Sequence, residues 1–90
     1  MERKELINQI QIVIRILEER LQDDPERPVL KTLYDRYTNA ERILNDNSEI
    51  EKIMIKGSCR AYLDAFSDYM NPLLIEMDKA EQMYANLMKE

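Results

Sequence analysis

The chain of 90 residues contains no histidine, no tryptophan, one cysteine and one glycine. Without histidine it lacks the most common general base near neutral pH, and it also lacks an imidazole ligand for a metal ion. Its hydrophobic fraction of 44% excludes disordered low-complexity chains, and the scarcity of glycine excludes collagen-like repeats. The composition therefore predicts one domain over residues 1–90 that is not an enzyme and uses no cofactor.

The only cysteine, Cys59, cannot form a disulfide within the chain, and a lone thiol fits a reducing compartment. With no histidine to activate it, we interpret Cys59 as a buried or half-buried structural residue rather than a nucleophile. The apolar stretch near the N-terminus is interrupted by Gln11 and Arg15. No segment approaches the ~20 apolar residues that a membrane-spanning helix needs. The sequence predicts a cytoplasmic protein with no signal peptide and no membrane partner.

Acidic residues outnumber basic residues by 18 to 13, which leaves a net charge of −5. The imbalance is concentrated in residues 61–90, where six acidic side chains face two lysines and the net charge is −4. A surface of this sign repels the phosphate backbone of nucleic acids. The charge distribution therefore predicts no nucleic-acid partner.

Residues 2–24 place apolar side chains at the spacing of one helix face. These side chains are Leu6, Ile7, Ile10, Val13, Ile14, Leu17 and Leu21. A β-strand is the alternative, because isoleucine recurs at every second position over residues 10–16 and β-branched residues at that period suit a strand. The flanking segments are rich in helix formers and contain no turn residues, so they favour a first helix.

A second helix is predicted from Pro28 to about Asn45, because proline is well tolerated at the first helical position. Its apolar face consists of Leu30, Leu33, Tyr34, Tyr37, Ala40 and Leu44. Ser48 is followed three residues later by Glu51, which matches a capping box. We therefore expect a third helix to begin near Ser48.

Two positions interrupt the remaining helical pattern. Gly57-Ser58 combines a common helix terminator with a good N-cap and predicts a kink, a short break or a change of packing partner. Asn71-Pro72 resembles a helix start, but apolar residues recur every eleven positions across it, which favours one continuous kinked helix. The sequence thus predicts an all-α fold, a small antiparallel bundle of three helices with the third long and bent near Gly57 and Pro72. The alternative is four helices, with a break at Asn71-Pro72.

The predicted third helix is too long for its own chain to cover. A helix over residues 59–89 would span about 46 Å, whereas the first helix would span about 35 Å. Soluble monomers seldom expose large apolar patches, so we expect the excess to bind a protein partner or, most simply, a second copy in a homodimer. The candidate interaction surface comprises Tyr62, Phe66, Met70, Leu73, Met77, Tyr84 and Met88 of this helix, together with Ile12 and Ile16. Ile12 and Ile16 lie one turn apart on the side of the first helix opposite its main apolar face, and they could form the edge of a second interface.

Two other functions compete with protein binding. A degenerate helix-turn-helix around Gly57-Ser58, with basic side chains at positions 52, 56 and 60, would indicate a DNA-binding regulator. Asp64 and Asp68 would face phosphates in that arrangement and oppose it. The same two carboxylates could start a metal site, but an acidic pair four residues apart is usually a solvated helix surface. We therefore expect no metal site.

Because the lysines and arginine near Gly57 have acidic neighbours, we expect them to be surface charges without a nucleic-acid role. Random duplex DNA at low salt should give no shifted band with the purified protein. A tight complex that weakens steeply with added salt would instead favour the DNA-binding alternative.

Overall fold

The computed structural model describes residues 2–46, 49–66 and 71–89. They form four α-helices and one 3₁₀ turn, with no strand in these ranges. The helices are α1 (Glu2–Asp23), α2 (Pro28–Asn45), α3 (Ser58–Phe66) and α4 (Pro72–Met88), and the 3₁₀ turn is Ile50–Lys52. The all-α class is confirmed, and residues 10–16 are helical rather than extended. In the described part of the chain, no helix combines the length and the apolar character needed to cross a membrane.

Helix α1 is the central element of the core, and it packs against both α2 and α4. Four residues of its predicted inner face are fully buried: Leu6, Ile10, Val13 and Leu17. The other three, Ile7, Ile14 and Leu21, are half-buried and pack against the core. Each fully buried side chain contributes roughly 1.5–3 kcal/mol when it leaves water. At the α1–α4 contact, the Gln9 side-chain amide donates hydrogen bonds to the backbone carbonyl and the carboxylate of Glu76, at 2.9 and 2.8 Å.

Helix α2 begins at Pro28 and ends at Asn45, as its sequence predicts. Its apolar face is buried except for Tyr34, which is half-buried. The Tyr37 hydroxyl is buried and forms no hydrogen bond with any residue that the structure describes. Burial raises the pKa of Tyr37, with only partial compensation from the nearby Ser58 hydroxyl. The Ser58 hydroxyl itself donates to the backbone oxygen of Ile55 at 2.6 Å.

The segment between α2 and α3 is not the helix that the capping box predicts. After the 3₁₀ turn, Ile53 and Ile55 are buried while Met54 between them is 65% exposed. This alternation is the pattern of extended backbone, in which successive side chains point to opposite sides. Ser48, the predicted cap, lies outside the described residues.

The predicted interruption at Gly57-Ser58 is confirmed. Gly57 has a φ of +86°, in the left-handed region where a side chain would cause strain. Helix α3 begins at the next residue. The glycine therefore ends the extended segment and sets the direction of α3.

The prediction of one long helix through Pro72 is wrong, and the four-helix alternative has the correct number of helices. Asn71 has extended backbone angles, with φ −102° and ψ 133°. Its side-chain oxygen accepts a hydrogen bond from the Leu73 amide at 2.8 Å, and Pro72 occupies the first helical position. This N-cap and the proline together start a new helix, and they outweigh an eleven-residue period that arises in any segment rich in apolar residues.

A polar cluster connects the end of α1, helix α3 and the start of α4. The Tyr62 hydroxyl accepts hydrogen bonds from Arg20, at 3.1 Å, and from the Asn71 side-chain amide. The Tyr62 ring stacks on Phe66 with centroids 4.6 Å apart, and the Arg27 guanidinium lies 5.1 Å from the Phe66 centroid. Tyr62 and Asn71 are both buried. The Asn71 side chain thus caps α4 and also anchors it to α3.

Replacing Asn71 with alanine removes the cap and leaves the buried Tyr62 hydroxyl with one partner fewer. The loss of the cap costs about 1 kcal/mol, and the lost buried hydrogen bond adds about 1–2 kcal/mol. We therefore expect Asn71→Ala to lower the free energy of unfolding by about 2–3 kcal/mol in urea titrations. The exposed Asn86 of α4 provides the control, since Asn86→Ala should change stability by no more than about 0.5 kcal/mol. Equal midpoints for the two variants would contradict this role of Asn71.

Candidate functional site

The structure separates the predicted interaction surface into buried and accessible parts. Three of its residues are fully buried in the core: Tyr62, Leu73 and Met77. They are covered within one chain because α4 starts anew at Pro72 and packs against α1. Three more are half-buried and pack on the core: Ile16, Phe66 and Tyr84. Ile12 is 40% exposed and Met88 is 43% exposed, while Met70 lies outside the described residues.

An open cavity of about 290 Å³ lies between α3 and α4. Its lining consists of Cys59, Leu63, Leu74, Ile75 and Asp78. Four of these five side chains are apolar or only weakly polar, and Ile75 at the rim is 50% exposed. Sequence reasoning did not select Ile75, although its position opposite the buried face of α4 could have indicated exposure.

A second opening, of about 520 Å³, lies farther along α4, and its lining includes no residue of α3. It is lined by Lys56, Asp78, Glu81, Gln82, Tyr84, Ala85 and Met88. Asp78 lines both openings. We call the residues that line the two openings the α3–α4 groove.

Glu81 holds the two walls of the groove together. Its carboxylate accepts hydrogen bonds from the Gly57 and Cys59 backbone amides, both at 2.9 Å. These amides lie at the N-terminus of α3, where the helix dipole favours a negative charge. Helix α3 has no acidic residue in its own first turn. Helices α2 and α4 also lack an acidic residue in their first turns, so this absence in the sequence did not identify Glu81.

Cys59 contributes a neutral thiol to the groove. Burial raises the pKa of the thiol to about 12, and the neighbouring Glu81 carboxylate adds to this effect. The sulfur lies 3.7 Å from the backbone oxygen of Leu74, to which the thiol donates. The expected half-buried, structural Cys59 agrees with this environment.

The two competing sites gain no support from the geometry. A helix-turn-helix around Gly57-Ser58 needs a helix before the turn, but residues 50–55 form a 3₁₀ turn and an extended segment. Across the described ranges, no three acidic or cysteine side chains converge as a metal site would require. Asp64 is exposed on α3, and Asp68 lies outside the described residues.

The fold and groove describe a small all-helical protein with an apolar depression between two helices. Residues 1–90 match the model of the YeeD family, described as YeeD uncharacterised protein, and the chain belongs to that family. It is 36% identical over 89 residues to the uncharacterized protein YeeD of Bacillus subtilis (strain 168). That alignment covers 90% of this chain and 87% of the relative. No solved structure matches the chain.

The raised pKa of Cys59 predicts a slow reaction with alkylating reagents, because the thiolate is the reactive form. At pH 8, we expect iodoacetamide to modify the folded protein at least roughly a hundredfold more slowly than the urea-unfolded chain. Mass spectrometry of quenched samples measures both rates. Similar rates in the two states would contradict the buried environment of the thiol.

The raised pKa of Cys59 also determines how the stability of the folded chain changes with pH. The pKa of the thiol is higher in the folded chain than its ordinary value of 9.0, so ionisation of the thiol favours unfolding. The corresponding stability is fully present below about pH 9 and is lost as the pH rises towards about 12.

Proposed function

We propose that this protein is a non-enzymatic module that acts by binding another protein through the α3–α4 groove. The observation that carries the proposal is the open, largely apolar cavity between α3 and α4, with Ile75 half exposed at its rim. Apolar side chains that face water at the edge of a depression mark contact sites more often than scattered exposed residues do. Met88 extends this apolar character to the end of α4.

The chemistry of the groove supports binding rather than catalysis. Its only cysteine is held neutral, and the chain has no histidine to act as a base. The Glu81 carboxylate accepts hydrogen bonds from two backbone amides of α3, which assigns it a structural role. We also propose that the protein is cytoplasmic, because a single thiol without a disulfide partner, that of Cys59, suits a reducing compartment.

Self-association remains a prediction. It was expected because a long third helix would leave an apolar stripe exposed, but Tyr62, Leu73 and Met77 of that stripe are buried within one chain. Of the four exposed large apolar residues among those described, Ile75 and Met88 line the α3–α4 groove, and Ile12 and Met54 lie outside it. Packing of the four helices into a small antiparallel bundle is part of the same proposal, since α1 contacts both α2 and α4.

A matched pair of variants tests the proposal. Ile75 and Ile12 are exposed to similar degrees, 50% and 40%, but only Ile75 lines the groove. We expect a protein captured from a lysate of the native host by the immobilised wild-type chain to be retained by Ile12→Gln. The same protein should be lost with Ile75→Gln, because a glutamine at the rim removes apolar contact area.

Circular dichroism and urea midpoints establish that both variants are folded. Capture that is equal for the wild-type chain and both variants would reject the groove as the binding site.

A further inference from the structure

We propose that the α3–α4 groove receives an amphipathic helix of about four turns, with a basic side chain between two apolar anchors. This inference rests on the proposed protein-binding function and assigns the chemical class of the partner. Three features of the groove support the proposal. They are the spacing of residues along α4, the apolar surface on both sides of Asp78, and an exposed Asp78 carboxylate that forms no ion pair with any described residue.

The spacing along α4 favours a helix as the occupant. On the α4 side of the groove, one row consists of Leu74, Asp78, Glu81, Ala85 and Met88, and Ile75, Gln82 and Tyr84 flank this row. The positions of the row are separated by intervals of four and three, which is the heptad spacing along which a second helix packs. The core-facing row of α4, with Leu73, Met77 and Ala80, is already buried. From Leu74 to Met88 the row is about 21 Å long, the length of about four helical turns.

The two ends of the row favour apolar anchors. At one end, Leu63, Leu74 and Ile75 surround an opening large enough for a leucine or methionine side chain. At the other end, Ala85 and Met88 are exposed and line the larger opening. An anchor at each end would remove apolar surface from water on both partners.

Asp78 between the two ends favours a basic side chain. Its carboxylate is exposed and accepts a hydrogen bond from the Gln82 side-chain amide at 2.9 Å, but it forms no ion pair with any described residue. Glu81, the other carboxylate of the groove, already binds the amides of α3. A guanidinium placed one turn from the first anchor would lie beside Asp78, because Asp78 is one turn from Leu74 and Ile75.

The charges also distinguish this occupant from a second copy of the chain. Two copies meeting through this row would bring Asp78 and Glu81 of one chain towards the same residues of the other. Lys56 is the one basic residue in the lining, so the lining keeps a net negative charge in each copy. Each copy also carries a net charge of −5, of which −4 lies in residues 61–90. Like charges across an interface suppress association, whereas a basic helix gains affinity and a faster encounter.

A charge-swap experiment tests the proposal with synthetic peptides of about 16 residues. The first peptide has leucines at i, i+11 and i+14 and an arginine at i+4, on a background of alanine and glutamine. The second peptide has the same sequence in the reverse direction. The matched control peptides carry glutamate in place of arginine. Fluorescence anisotropy with the full chain measures affinity, and amide shifts of α3 and α4 locate the binding site.

We expect the wild-type chain to prefer an arginine peptide over its glutamate counterpart by about fivefold, the scale of a partly exposed ion pair. Asp78→Lys should reverse that preference, while Ile75→Gln should weaken both peptides and Ile12→Gln neither. Failure of all peptides to bind, equal binding of arginine and glutamate peptides, or an unchanged preference in Asp78→Lys would overturn the proposal.

Light scattering distinguishes a separate partner from a second copy of the chain. A monomer mass at tens of micromolar supports a separate partner. A dimer that Ile75→Gln dissociates and Ile12→Gln does not would assign the groove to a second copy and overturn the basic helix. That outcome would leave the groove a protein-binding site, whereas equal lysate capture by both variants would reject the proposed function even if the peptides bound.

Discussion

The hydrogen bond from the Leu73 amide to the Asn71 side chain determines where α4 starts, and the distribution of the apolar residues follows from that start. A helix that continued through Pro72 would carry its apolar stripe away from the rest of the chain. With Asn71 as its N-cap, α4 starts at Pro72, packs along α1 and buries Leu73, Met77 and Ala80. The N-cap at Asn71 thus places these side chains in the core of the protein and not on its surface.

The parts of the fold that are predictable from the sequence are those in which one period dominates. Helix α2 has a single apolar face and a proline at its first position, and its extent agrees with prediction. In α1 the isoleucines at every second position compete with the helical period, and the flanking helix formers identify the helix correctly. Residues 50–55 are ambiguous, because Ile50, Ile53 and Met54 fit a helix face while Ile53 and Ile55 fit an extended segment. Tertiary packing of Ile53 and Ile55 into the core decides between them. Asn71-Pro72 carried the correct local signal, but a repeat among abundant apolar residues obscured it.

The candidate site was less predictable than the fold, because it depends on pairs of residues that are distant along the chain. Glu81 binds amides 24 and 22 positions earlier, and no spacing rule connects them. Exposure of Ile75 depends on which side of α4 faces α1. Of the residues selected from the sequence, Tyr84 and Met88 line the groove, and Tyr62, Leu73 and Met77 lie in the core. Periodicity identifies the apolar residues but does not show which of them a neighbouring helix will cover.

The nine described residues of α3 are fewer than an isolated helix needs to persist in water. The helix is therefore stabilised by its contacts with the rest of the chain, through Glu81 at one end and the Tyr62–Asn71 hydrogen bond further along. It is the shortest α-helix in the described ranges, and it forms one wall of the groove. A molecule that enters the groove would add contacts to this wall, so binding in the groove is expected to stabilise α3 as well.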